Sequence, residues 1–302
     1  MCEYTVNHMK DRLFKQYMLL KDVFVDDVLK MILLYEFKAF KTIDYLGEIN
    51  KHPRDERILF EENGHKYTLL NEDGTVNDNK TLSVTTLIHN YFSHFDADKI
   101  IEKMMNSRNW PNSKYYGMTA DEIKEQWNNN GKMASENGTL RHFSVECMLN
   151  GMDVNDDSVE FAHFNKFWSD FNVKYPQFKP YRTEMLVFNE NFGKDKVTLC
   201  GSIDCLLVDD EDNYIALDWK FCKAINFEDK YEKKVGLHPF ESLPDTNYSH
   251  YKLQLNIYRH ILETLYNKNV IFMMLVILHK DQDTYNCIPV DRYELDDVWD
   301  IL

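Results

Sequence analysis

Apolar residues recur at helical spacing early in the chain, at Met9, Leu13, Tyr17 and Leu20 and then at Val25, Leu29, Ile32 and Leu33. Steps of three and four predict two or three helices before residue 50. Lys51-His-Pro-Arg-Asp-Glu56 breaks that pattern and is the best linker candidate, dividing an N-terminal helical extension (1–52) from a main domain (53–302). Beyond it, Ile58 to Phe60 and Lys66 to Leu70 flank Asn63-Gly64, a two-residue hairpin signal. A polar turn from Asn71 to Lys80 leads into Leu82-Ser-Val-Thr-Thr-Leu-Ile88, and helical patterns run with interruptions to about Gly131.

Gly138-Thr139 is read as opening a helix that carries Leu140, Phe143, Val145 and Leu149 and ends at Asn150-Gly151, a C-cap signal. A second helix is expected over Val159 to Phe171 and a third over Tyr251 to Tyr266. Strands are expected at Met185 to Phe188, Val197 to Val208, Tyr214 to Phe221, Val270 to His279 and Tyr285 to Val290. Val270 to Leu278 is apolar at every position, as in a strand covered by helices on both faces.

Composition narrows this to a folded α/β chain. With 302 residues, 14% aromatic, and only 10 Gly and 7 Pro, it can bury a large core. A net charge of −15 argues against a protein that coats nucleic acid by positive potential alone. The charge is uneven, however. Asp281 to Leu302 holds seven acids against Arg292 alone, whereas bases outnumber acids between Lys99 and Arg141, and Lys220, Lys223, Lys230, Lys233 and Lys234 form a second basic stretch. Each basic stretch is either part of a cationic groove or a solvated helix face. Cys2, Cys147, Cys200, Cys205, Cys222 and Cys287 lack CxxC spacing and read as reduced core thiols. No secretory leader or membrane-length apolar run is visible, so a soluble intracellular protein is expected, in cytoplasm, nucleus or viral factory, with no membrane partner.

The segment Gly201-Ser-Ile-Asp204 to Asp218-Trp-Lys220 has a geometry that can be counted. If Asp209 to Asn213 form a turn, Val208 faces Tyr214 and Asp204 lies opposite Asp218. Opposed residues in an antiparallel pair have Cβ atoms roughly 5 Å apart on one face, and Lys220 shares it. Ile215, Leu217, Trp219 and Phe221 then face a core. Two adjacent carboxylates repel unless a cation lies between them, and an all-oxygen site suits Mg²⁺ or Mn²⁺. Equally, Asp204 could belong to an ordinary hairpin in which Asp218 simply pairs with Lys220.

His142 and Glu146 share a helix face at i and i+4 and could reach the same ion, although an isolated histidine on such a face is more often structural. Gln254 and Tyr258 repeat the spacing on the later helix, where a polar stripe is the plainer reading. Taken together, Gly138-Thr139-Leu-Arg-His142-Phe-Ser-Val-Glu146, Glu184, Gly201-Ser-Ile-Asp204, Asp218-Trp-Lys220 and Gln254-Leu-Asn-Ile-Tyr258 resemble, in order and context, the RecB-like branch of PD-(D/E)XK nucleases. Within that branch the chain is similar to the lambda-type and mitochondrial genome-maintenance exonucleases and, in general style, to nuclease-like proteins of large DNA viruses. The resemblance covers roughly Ser83 to Val290. Ile203 stands where the family name has Pro.

The resemblance implies an α/β restriction-endonuclease-like core with a mixed central sheet flanked by helices. It implies that Asp204, Asp218, the carbonyl of Trp219 and His142 hold Mg²⁺ or Mn²⁺. Lys220 would activate or position the attacking water, and Glu184 would be a further catalytic acid, holding a second metal through water. Gln254 and Tyr258 would shape the site and contact DNA, with Arg141 and Lys223 as further nucleic-acid contacts. The four-cysteine spacing of iron–sulfur relatives is absent, so no such cluster is expected. The implied activity is hydrolysis of a DNA phosphodiester by a metal-bound water, as an exonuclease in replication, recombination or repair, on single strands or duplex ends. An RNA endonuclease with the same core and a non-catalytic nucleic-acid-binding or assembly module are the alternatives.

Overall fold

A computed structural model describes residues 44–61, 64–229, 233–295 and 299. The helices expected from Met9 to Leu33 lie outside the described residues. Of the expected extension, the part seen is helix α1 (Tyr45–Ile49), and it is fastened to the body: Leu46 N–H donates to Asn150 Oδ1 at 3.0 Å and Asn50 Nδ2 to the Tyr181 carbonyl at 2.7 Å. The expected linker is likewise folded. Pro53–Arg57 form a 3-10 turn closed by a capping box between His52 and Asp55; Arg182 pairs with Asp55 at 2.7 Å, and the Arg54 guanidinium lies 4.0 Å over the Phe188 ring. Polar residues that read as a solvated connection are here spent on bonds to the sheet.

Strands β1 (Ile58–Glu61) and β2 (Lys66–Leu69) form the expected hairpin. Because Glu61 pairs with Lys66, its connection spans 62–65, four residues rather than the two that Asn63-Gly64 suggested. Strand β3 (Thr81–Ser83) runs directly into α2 (Val84–Asn90), with Ser83 as N-cap accepting from Thr86 N–H. Helix α3 (Ala97–Met105) follows, and then α4 (Ala120–Leu149), a single helix of 30 residues. Gly138 does not open a helix, contrary to the sequence reading. The start lies at Thr119, whose hydroxyl and Glu122 make a reciprocal capping box, and the chain stays helical through Gly131 and Gly138 at a cost of about 1 kcal/mol each relative to alanine. The stop was legible: Asn150 is the C-cap and Gly151 adopts φ +82°.

Helix α5 (Val159–Lys174), strands β4 (Lys179–Phe192), β5 (Val197–Val208) and β6 (Asn213–Lys220), helix α6 (Asn247–Leu265), and strands β7 (Asn269–Ile277) and β8 (Asn286–Pro289) complete the described elements. β4 is much longer than the segment Met185 to Phe188 expected from sequence, because its polar ends are held by ladder bonds to β5. The sheet is mixed: β3 is parallel to β5, β5 antiparallel to β4 and β6, β6 parallel to β7, and β7 antiparallel to β8.

Helices cover both faces. On one, Leu253, Ile257, Tyr258 and Ile261 of α6 and Val84 and Leu87 of α2 pack against Met185, Leu206, Ala216 and Leu275. On the other, Phe161, Phe164 and Phe167 of α5 and Val145 and Leu149 of α4 pack against Cys205, Leu217, Trp219 and Val276. Ile215, Leu217, Trp219 and Phe221 thus face a core, as counted from the turn. β7 is buried on both sides from Met273 onward, whereas Ile271 and Phe272 at its start are exposed. Cys147, Cys200 and Cys205 are buried free thiols, and Cys222 and Cys287 are partly exposed ones. Among the described residues no helix is long and apolar enough to cross a membrane.

Candidate metal centre

The position of the site follows from how β5 is shared. β4 pairs along β5 from Val197 to Val208 and so occupies one whole edge. The other edge is divided, with Thr198 to Cys200 taken by β3 and Cys205 to Val208 by β6. Between those partners the edge is open from Gly201 to Asp204, and β6 leaves β5 there in a fork. The register Cys205 to Leu217 and Val208 to Tyr214 matches the one counted from the turn, and one further step sets Asp204 against Asp218. At that step a side chain replaces the ladder: Trp219 N–H donates to Asp204 Oδ2 at 2.8 Å. Since N–H and C=O of one strand residue point to the same side, the Trp219 carbonyl is also directed into the fork.

The other edge brings Glu184. Thr183 pairs with Cys205 and Met185 with Ile203, so Glu184 stands beside Asp204, and three acids lie in a row across β4, β5 and β6. Glu184 has φ +45°, a left-handed conformation that costs a non-glycine residue about 1–3 kcal/mol and persists only where the surroundings impose it. Its Oε2 accepts from Ser202 Oγ at 2.8 Å. From α4, His142 Nδ1 reaches 3.5 Å from Asp204 Oδ2 and 3.7 Å from Glu184 Oε1. One ligand atom each of His142, Glu184 and Asp204 fall within 4.8 Å of one another. Sequence reasoning assigned Glu184 to a second ion through water; the fold sets it directly against His142 and Asp204.

Asp218 is buried and is held differently. Lys220 Nζ lies 2.6 Å from its Oδ2, a buried ion pair. Lys220 also sits 4.4 Å over the ring of Tyr251, in the second turn of α6. Tyr251 was not singled out from sequence, although it precedes Tyr258 by seven residues and therefore shares its helix face.

Electrostatics reflect crowding of like charge. Burial pushes the Asp204 carboxyl up to about 7, Asp218 and Glu184 add to this, and His142 and Lys220 oppose it. For His142, burial disfavours the charged ring, but Asp204 and then Glu184 outweigh it and raise the imidazole to about 9. Lys220 is treated the same way: desolvation is outweighed by Asp218 and then Asp204, which hold its ammonium above the ordinary lysine value. A proton on His142 and the charge of Lys220 both offset the crowding of the three acids.

Gln254 and Tyr258 lie at the fork but not as displayed contacts. Gln254 Nε2 donates to Tyr258 Oη at 3.4 Å, and the Tyr258 ring is buried against Gly201, where a Cβ would come 2.4 Å from Cε1. The glycine of Gly201-Ser-Ile-Asp204 is thus explained by close approach of an aromatic ring. The Tyr258 side chain is therefore buried in the layer between α6 and β5. Glu146, one turn beyond His142, is buried but is not in the cluster.

Arg141 and Lys223 are not brought to the site. Arg141 Nη1 contacts both oxygens of Asp156 at 2.6 Å and fixes the α4–α5 connection. Lys223 Nζ pairs with Asp281 Oδ2 at 2.8 Å at the exposed surface. Each acid is remote in sequence from its base, so neither pairing was visible there.

No family model and no curated protein matches the chain. Among solved structures it is similar to that of SSO0001, at 14% identity over 72% of this chain and 71% of that chain, with a TM-score of 0.30, which is too low to decide fold family or function.

Proposed function

We propose that this chain is a Mg²⁺- or Mn²⁺-dependent DNA nuclease built on a PD-(D/E)XK core. The observation that carries the reading is the convergence of His142, Glu184 and Asp204 on one point, beside Asp218 and Lys220, at the open edge of β5. Three carboxylates on adjacent strands are costly to bury together without a cation. The donor set fits a hard divalent ion: carboxylate oxygens and one imidazole, with the buried carboxylate of Asp218 beside them. His142, Glu184 and Asp204 would hold it, with Asp218 and the Trp219 carbonyl close by. When bound, such an ion polarises a phosphoryl oxygen and acidifies a water molecule, at neutral pH.

The chain's own groups supply the rest. Lys220 is charged, so it acts as a donor that orients the attacking water or neutralises a phosphate oxygen, rather than as the proton acceptor. Asp218 and Tyr251 fix its position from two directions. Hydrolysis of a phosphodiester requires a barrier reduction of roughly 20 kcal/mol, and one positioned donor contributes about 3 to 4, so Lys220 assists but does not suffice.

The test is incubation with 5′- and 3′-labelled single-stranded and duplex DNA, and with RNA, with and without Mg²⁺ or Mn²⁺. Cation-dependent DNA products that vanish in Asp204→Asn are expected. Cleavage of RNA alone would move the reading to a ribonuclease. No cleavage of either, or cleavage indifferent to Asp204, would overturn it.

A further inference from the structure

The connection from α3 to α4 is unusual in an acidic chain. From Asn106 to Thr119 it holds Arg108 and Lys114 and no acid, with Lys103 in the last turn of α3 just before it, in a protein of net charge −15. Among the described residues neither Arg108 nor Lys114 has a carboxylate partner, and Lys114 Nζ lies 4.8 Å over the Tyr115 ring. The same stretch carries Trp110, Tyr115 and Tyr116.

These rings form a surface cluster. Trp110 and Tyr116 have ring centroids 6.0 Å apart, and Tyr116 is 61% exposed. Tyr115 accepts from Trp127 Nε1 at 2.8 Å, which ties the connection to the first half of α4, and Phe95, 71% exposed, lies 5.8 Å from Trp127. Tyr115 and Trp127 hold the cluster to the fold. Tyr116 and Phe95 are exposed and Trp110 is partly so, and burial does not explain the exposed rings.

α4 links this cluster to the candidate metal centre, because the helix that carries Trp127 also carries His142. The separation of 15 residues is roughly 22 Å along the axis, and the two side chains are about 60° apart around it. A platform there and a cleavage site at His142 would be engaged by one strand a few nucleotides long.

We propose that the connection from α3 to α4 and the adjoining face of α4 bind single-stranded DNA, by stacking unpaired bases on Trp110 and Tyr116 with Arg108 and Lys114 on the phosphates. This rests on the nuclease reading and specifies its substrate as single-stranded. Charge decides against a duplex: duplex bases are not free to stack, so affinity would have to come from phosphate contacts, and three cations in a strongly acidic chain supply few. A single strand offers both groups the surface presents.

The test measures binding in EDTA, so that it does not depend on cleavage. Fluorescence anisotropy with a labelled twenty-nucleotide oligo(dT) should give a Kd several-fold or more below that for a blunt duplex of equal length, with quenching of tryptophan emission. Tyr116→Ala and Trp110→Ala should each weaken oligo(dT) binding about tenfold, while Tyr116→Phe keeps it. Melting temperatures near wild type show that the loss is local. Failure of wild type to bind oligo(dT), equal binding by the alanine variants, or tighter binding of a uridine twenty-mer overturns the proposal. So does concentration-dependent self-association that Trp110→Ala abolishes without affecting oligonucleotide binding. A wild type that cleaves DNA while the alanine variants bind as well as it does leaves the nuclease reading standing without this one. A wild type that binds oligo(dT) through Tyr116 and never cleaves does the reverse.

Discussion

The Trp219 backbone N–H donates to Asp204 Oδ2 at 2.8 Å, so an acid of β5 completes a bond that the ladder leaves unmade as β6 departs. The same carboxylate faces His142 from α4 at 3.5 Å. Asp204 therefore holds the fork together as well as contributing to the cluster, and substitutions there need to keep the first role while removing the second.

Asp204→Asn does this, since an amide oxygen can still accept from Trp219. It should abolish cleavage while keeping the fold, and the metal-free variant should melt no lower than wild type because burial and the neighbouring acids, which push this carboxyl up to about 7, make its charge unfavourable in the folded chain. Turnover in labelled-DNA assays and far-UV melting curves check both halves. Residual activity comparable to wild type would remove Asp204 from the site.

Metal binding should stabilise the protein by mass action, by about 2.7 kcal/mol at a hundredfold excess over Kd. The rise in melting temperature with Mn²⁺ should shrink in Glu184→Gln as well as in Asp204→Asn, because the fold sets Glu184 in the cluster. An undiminished shift in both variants would place the ion elsewhere, for example on the acids after Asp281.

Metal-free stability should fall as pH rises through the site. His142 is raised to about 9, so its contribution is complete below its ordinary value near 6.5 and is lost as pH rises through 9. Asp204 adds in the same direction, because a raised carboxyl makes the folded chain bind more protons than the unfolded one between about 4 and 7. In EDTA the melting temperature should therefore decline from pH 6.5 to 9, less so in His142→Gln, and saturating Mn²⁺ should flatten or reverse the trend. A decline in EDTA identical in His142→Gln would assign the titration to other groups.

Lys220→Ala should lower the cleavage rate about a hundredfold or more with a smaller effect on DNA affinity measured in Ca²⁺. It also leaves Asp218 buried and unpaired, a loss of about 3–5 kcal/mol if the charge is retained. Lys220→Arg, which keeps the charge, separates the two effects: a stable but slow enzyme supports a positioned ammonium, and full activity would make Lys220 a structural partner only.

Gly201→Ala should destabilise by about 1–3 kcal/mol, because the new methyl group meets the Tyr258 ring at 2.4 Å in a packed layer. Denaturant unfolding measures this, and Tyr258→Leu should recover part of it. A neutral Gly201→Ala would mean that the ring moves freely.

What the sequence by itself determined was local and periodic. The turn over Asp209 to Asn213 fixes the register of β5 on β6, a period of two puts Lys220 beside Asp218, and the Asn150-Gly151 stop ends the helix that carries His142. These follow from backbone geometry over a few residues. Tertiary structure decided the rest. Glu184 joins His142 and Asp204 because β4 pairs with the far edge of β5 and adopts a positive φ there. Arg141 and Lys223 were drawn off to Asp156 and Asp281, Tyr258 was turned inward onto Gly201, and Tyr251 was laid under Lys220. Each depends on contact between segments far apart along the chain, where a charge or ring gains its partner only after the layers have packed, and no spacing between neighbouring residues encodes that choice.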